Sequence, residues 1–294
     1  MKKLKFILPS LFLSAPLCVI SCQNKSTTQE VNKLENLNID SVKNDLWKSF
    51  INQDYIEALL NAVYGNKTDL KEKFIEEQKQ IDETYLNDIR WAFYYGSNNI
   101  KQFGDDGGIF GTKKPKLLLQ SNKIIEEFNT KNWLAFLYYF DRLNFIYYPT
   151  YDLFEESADN ADISARENTQ KIGTFYTPKS NKIIQYTNQL YENSEDYIEN
   201  NFYLLTEDAF ILQIDVSDSE PENQENIPNV QIFNYLFAFP KMVTNPELLK
   251  TFDIKQYVAY TKSFSETGPD KSKKVIYEDE LGGKMLRYTV YGIK

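Results

Sequence analysis

The amino-acid sequence predicts an α+β fold: an N-terminal helical half with aromatic-rich helices, and a C-terminal half with a mainly antiparallel sheet. Two observations carry that reading. Apolar residues recur at helical spacing through the first half of the chain, and beyond residue 202 apolar and aromatic residues alternate with period two. Because the helical runs precede the strand runs, the pattern is that of α+β and not of βαβ units.

Taken in order, residues 40–64 place Leu46, Phe50, Tyr55, Ile56, Leu59, Leu60 and Val63 on one helical face, with Gly65-Asn66 as a stop. A second, long helix is expected from Thr68, read as its N-cap, to Gly96, with Phe74, Ile81, Tyr85, Ile89 and Ala92 forming the apolar face. Residues 97–115 read as a glycine-rich loop. A third helix is expected over 121–148, ended by Pro149; its middle, residues 133–140, is apolar all round and so should be buried on most sides. Residues 157–174 are polar and read as irregular or a short helix. Residues 181–201 again show helical spacing, through Ile184, Leu190, Tyr191 and Ile198. Strands are expected at 202–205, 209–216 and 230–239, where branched and aromatic residues alternate. Residues 253–264 fit either state, and 274–277 with 285–291 suggest a terminal hairpin around Gly282-Gly283.

Composition removes many functions. The 294 residues include no histidine, and the only cysteines are Cys18 and Cys22. Histidine-dependent triads, Cys/His metal clusters and cysteine nucleophiles are therefore excluded from the folded part, and no cofactor is expected. The net charge is −9, and loss of Lys2, Lys3 and Lys5 with an export segment would take it to −12. No basic block of nucleic-acid-binding type is present, so no nucleic-acid partner is expected. The 27 asparagines and only four arginines indicate AT-rich codons, which accounts for part of the 15% aromatic content.

The N-terminus carries an address. A basic start is followed by an apolar run from Phe6 to Ile20, broken by Pro9 and Pro16, and then by Val19-Ile20-Ser21-Cys22. That tetrad resembles a bacterial lipobox, which implies lipidation of Cys22; Leu17 is too bulky for Cys18 to serve. Two acyl chains on one sulfur suffice for stable anchoring, each buried CH₂ contributing about 0.8 kcal/mol. The expected organisation is a signal peptide at 1–21, a flexible tether at 22–38, a helical part at 39–158 and an α+β part at 159–294. The last two are separate or one continuous domain.

Three constellations invite a functional reading. The loop at 104–111, with Asp105 and Asp106, matches neither a phosphate-binding nor an EF-hand pattern. Asp215, Asp218, Glu220, Glu222 and Glu225 read as a solvated acidic excursion between strands. The third is aromatic: Trp91, Phe93, Tyr94 and Tyr95 in one helix, and Trp133, Phe136, Tyr138 and Tyr139 in the next. Large rings bury well, so Trp91 and Trp133 are expected between two helices, with a sugar-stacking or partner-binding platform as the alternative. Arg90, Asp141 and Arg142 suggest one interhelical ion pair.

Over residues 85–148 these clusters resemble those of aromatic-cluster surface lipoproteins of wall-less mollicute bacteria. That resemblance implies a cell-surface location, and it implies no established molecular activity. The resulting expectation is a lipid-anchored protein on the extracellular face of the cell membrane, held by an N-terminal diacylglyceryl group and binding an external host or nutrient ligand. A carboxylate-dependent extracellular hydrolase and a structural surface spacer are the alternatives. No catalytic residue is nominated.

Overall fold

The computed structural model describes residues 42–97, 116–147, 175–267, 280–282 and 285–294. The chain divides into two compact units, Met1–Leu46 and Trp47–Lys294. In the first, residues 42–46 are helical; in the second, residues 47–51 are helical (α1). The second contains everything else described here. Among the described residues no helix is long and apolar enough to cross a membrane.

Five further helices precede the sheet: α2 (Asp54–Tyr64), α3 (Thr68–Lys79), α4 (Glu83–Ser97), α5 (Lys116–Asn129) and α6 (Trp133–Tyr138). Each of the three long helices expected from sequence is divided. The first breaks at Asn52-Gln53, where Gln53 turns extended (φ −77°, ψ 138°), and Asp54 and Glu57 then favour the N-terminal end of α2. The second breaks at residues 80–82: the Asp82 carboxylate accepts the backbone N–H groups of Thr84 (2.9 Å) and Tyr85 (3.3 Å), a local cap that starts α4. Thr68 is the first residue of α3 and Lys67 its N-cap, so the expected Thr68 cap is not used. Gly65, with φ +52°, ends α2 as expected.

The third division changes the architecture. After α5, buried Gln78 reaches across from α3, its Nε2 donating to Asn132 Oδ1 (3.0 Å) and its Oε1 accepting from Ala135 N (3.2 Å). A short 3-10 turn at Phe140–Arg142 then leads into a strand, β1 (Leu143–Tyr147), so the helix expected to run to 148 stops ten residues earlier. Burial explains the switch: Leu143 and Phe145 point into the core at period two.

The sheet has seven strands, all antiparallel, in the order β2-β1-β7-β6-β5-β4-β3. They are β2 (Phe175–Tyr176), β3 (Ile183–Asn193), β4 (Ile198–Thr206), β5 (Phe210–Asp218), β6 (Asn229–Ala238) and β7 (Leu286–Ile293). The fold is therefore α+β. Strands β4, β5 and β6 lie where period two places them. Residues 181–201, expected to be helical, instead form β3, a turn in which Ser194 and Tyr197 bond each other, and the start of β4. The apolar residues that suggested the helix, Ile184, Leu190 and Tyr191, are exposed, while Ile183 and Tyr186 face the core. Residues 253–264 resolve as helix within α8 (Ile254–Thr267), preceded by a short α7 (Pro240–Thr244) and a 3-10 turn at Pro246–Lys250. The neighbours of β7 in the sheet are β1 and β6. Residues 274–277, 98–115 and 157–174 lie outside the described residues, as do Cys22 and the tether.

Two cores flank the sheet. On one face Phe202, Leu204, Phe210, Leu212, Ile214, Leu236 and Tyr288 pack with Leu59, Leu86, Phe128, Trp133 and Phe136 of the helices. On the other, Tyr203, Leu205 and Ile211 pack with Phe239, Met242, Phe252, Tyr257 and Val258 of the C-terminal helical segments. Among the described residues, Glu199, Asn201 and Asp215 of the same face are not part of that second core.

Candidate functional site

Helix α4 carries aromatic residues on two sides. Leu86, Ile89 and Phe93, spaced by three and four residues, are buried, and Phe93 is 3% exposed. Trp91, Tyr94 and Tyr95 share the opposite side at the same spacing and are 59%, 60% and 37% exposed. Their rings associate with each other. Trp91 stacks on Tyr95 (centroids 6.0 Å, 22°), Tyr94 meets Trp91 edge-on (6.1 Å, 83°), and Tyr94 and Tyr95 stand perpendicular (5.2 Å, 90°). The expectation that Trp91 packs between helices is corrected. Its phase on the helix turns it away from the side on which α5 and β7 pack.

The second cluster is interior. Trp133 and Phe136 are 2% and 1% exposed, with Trp133 stacked on Phe74 (5.3 Å, 25°) and Phe136 against Phe128 (5.1 Å). Tyr138, half-buried, meets Trp47 (4.9 Å) and Phe50 (5.2 Å), and the Tyr139 hydroxyl donates to Ile81 O (2.9 Å). Burial raises the pKa of both phenols, helped for Tyr138 by the charge of Asp141. The two clusters therefore do not converge into one platform: three rings of the first form a surface triad, and the second builds the core.

The expected ion pair takes other partners. Arg142 forms a fork to Glu83 (Nη2 to Oε2 3.1 Å) and also donates to Lys294 O (2.8 Å). Arg90 donates through Nε to Ile293 O (3.1 Å) and through Nη1 to Asn87. Both guanidiniums thus clamp the end of β7 to the helical layer.

Of the five acidic residues in the predicted excursion, Glu220, Glu222 and Glu225 lie in a polar loop that follows Asp218, the last residue of β5. Asp218 Oδ1 accepts from Glu220 N (2.9 Å) and Asn226 Nδ2 (2.5 Å), and Glu220 accepts from Asn223 (2.9 Å). Asp215 does not belong with them, because it lies three residues inside β5, paired with Asn201 of β4. It faces the same side of the sheet as Glu199, Asn201 and Tyr203 of β4 and Gln213 of β5, and is not part of the second core. Burial raises the Asp215 pKa, a hydrogen bond from Gln213 opposes the rise, and the charge of Glu199 adds to it. Burial, with the charges of Asp215 and Glu199, pushes the Tyr203 phenol up to about 12. Sequence reading missed this group. The signal was present in the alternation, since polar residues take every second place in 199–203 and 213–217 while the intervening residues are mostly apolar. Among the described residues no group of three or more Asp, Glu, His or Cys side chains is arranged to hold a metal ion.

The sequence matches the family profile described as aromatic cluster surface protein over residues 30–282. No curated protein and no solved structure gives a match.

Proposed function

From the premise that this chain belongs to the aromatic cluster surface protein family, we propose that it is a lipid-anchored surface protein of a wall-less bacterium that binds an external ligand through the Trp91, Tyr94 and Tyr95 triad. The membership covers most of the chain and carries the location at the cell surface. The anchor is the finer reading: Val19-Ile20-Ser21-Cys22 follows a basic start and an apolar run, and a diacylglyceryl group on Cys22 would hold the chain to the membrane.

The observation that carries the binding reading is the exposure of three large rings packed edge-to-face and stacked on one side of α4. Scattered exposed apolar residues are ordinary, but a contiguous aromatic group is the composition of a recognition surface. Tyr and Trp add large contact area while losing little conformational freedom, which suits stacking on the flat apolar face of a sugar or a protein segment.

Two measurements test the proposal. Cells expressing Cys22→Ser should lose palmitate labelling while Cys18→Ser keeps it; equal labelling of wild type and Cys22→Ser refutes the anchor. For binding, the full chain is applied to an array of immobilised glycans and serum glycoproteins beside a Trp91→Ala/Tyr94→Ala/Tyr95→Ala variant. Loss of central aromatic anchors costs about 2 kcal/mol or more, roughly thirtyfold in affinity. A variant that binds like wild type, or a wild type that binds nothing on the array, removes the triad from this role.

A further inference from the structure

The polar group on this face of the sheet is rich in acceptors and half-buried to buried. Asn201 lies directly opposite Asp215 in the β4–β5 register, and Glu199 precedes Asn201 by two residues on the same face. Three donors nearby are committed to the carboxylates. Asn201 Nδ2 donates to Glu199 Oε1 (3.0 Å), Tyr197 donates to Glu199 Oε2 (2.9 Å), and Gln213 Nε2 donates to Asp215 Oδ1 (2.7 Å). The bond to Glu199 fixes which way the Asn201 amide points, since flipping it would set a carbonyl against a carboxylate. Asn201 is 4% exposed; its side chain also hydrogen-bonds with Tyr203, and among the described residues its Oδ1 meets no hydrogen-bond donor. None of the ion pairs among the described residues involves Glu199 or Asp215. Two carboxylates and a recessed carbonyl oxygen therefore share one face, and among the described residues no cationic side chain pairs with them.

We propose that Glu199, Asn201 and Asp215 form a binding site for a hard divalent cation, with Ca²⁺ the ion whose chemistry they fit. Carboxylate and carboxamide oxygens in irregular arrangement are Ca²⁺ ligands, whereas Mg²⁺ demands a stricter octahedron and softer metals need the nitrogen or sulfur ligands this region lacks. A monatomic ion reaches an oxygen as deeply set as Asn201 Oδ1, which a bulky donor-bearing ligand does not. Two carboxylates balance the charge of one such ion, and with only two the remaining ligands are water and amide oxygens. Affinity is then in the weak, extracellular range, with half-saturation at roughly 0.1–1 mM.

The test uses the full chain and the ion itself. Tb³⁺, a Ca²⁺ analogue, should give luminescence sensitised by the adjacent Tyr203 and displaced by Ca²⁺, and Ca²⁺ should raise the melting temperature. Asp215→Asn and Glu199→Gln should each weaken the response by roughly tenfold or more. The loop variant Glu220→Gln/Glu222→Gln should respond like wild type. If Asp215→Asn does not fold by circular dichroism, Glu199→Gln decides. The proposal is overturned by no saturable response up to about 10 mM, an order of magnitude above the expected range. It is equally overturned by an unchanged response in both site variants, by a response lost only in the loop variant, or by stabilisation with methylammonium in place of Ca²⁺.

Discussion

Trp91 and Trp133 have similar sequence neighbourhoods and opposite roles, and their substitution separates the two. Trp133→Ala removes a ring from between α3 and the sheet-facing core and should cost about 3–5 kcal/mol. Trp91→Ala removes a surface ring and should change stability by less than about 0.5 kcal/mol. Thermal melts of the two variants side by side check the contrast. Asp215 gives a residue-scale prediction with a defined sign. Its pKa is raised in the folded state, mainly by burial, so the native protein holds that proton to higher pH than the unfolded chain does. Stability therefore falls as pH rises from the ordinary carboxylate value, about 3.9, through the raised native one, and the cost is constant above that window. Asp215→Asn should melt above wild type at neutral pH and lose that advantage in acid; melting curves across this range, without added cation, decide it. A close match of the two proteins at every pH would contradict the assignment.

Helices and strands were legible in the sequence wherever the pattern reflected a buried face, and misread where it did not. The breaks at Asn52-Gln53, at residues 80–82 and at residues 130–132 contain no glycine or proline. The second and third are set instead by a local Asp82 cap and by Gln78, whose partner at Asn132 lies far along the chain. Strand β3 was unreadable for a different reason: as an edge strand it leaves Ile184, Leu190 and Tyr191 exposed, and their spacing mimics a helix. The same limit affected the candidate site, because the run Trp91-Ala92-Phe93-Tyr94-Tyr95 does not itself say which rings face inward. Two glycines show how turns join these elements. An alanine at Gly65 would meet nothing within 4 Å and should cost only the roughly 1–3 kcal/mol of a disfavoured backbone region. At Gly282 (φ +95°) a Cβ would stand 2.8 Å from Lys241 Cβ and 2.9 Å from its backbone nitrogen, where Lys241 N–H already donates to Leu281 O (2.8 Å). Gly282→Ala should therefore be the more destabilising of the two, measured by chemical denaturation; the reverse order would show that the turn against α7 is not tightly held.

At the scale of the whole compact unit, the strand order decides how the parts depend on each other. The run β3-β4-β5-β6 is a meander of sequential neighbours, while β1 and β2 form a separate pair; β7 lies between them and bonds to both. Its far end is held by Arg90 and Arg142, and Lys294 N donates to Arg142 O (2.8 Å). Deleting residues 286–294 should abolish the cooperative thermal transition, while deleting Lys294 alone should lower the melting temperature by only a few degrees. A truncated chain that still melts in one sharp step would show that the meander and the helical layer do not need the joining strand. The arrangement also orders assembly in time: during synthesis β1 through β6 all emerge before β7, so the pairings that join the two parts of the sheet are the last that can form.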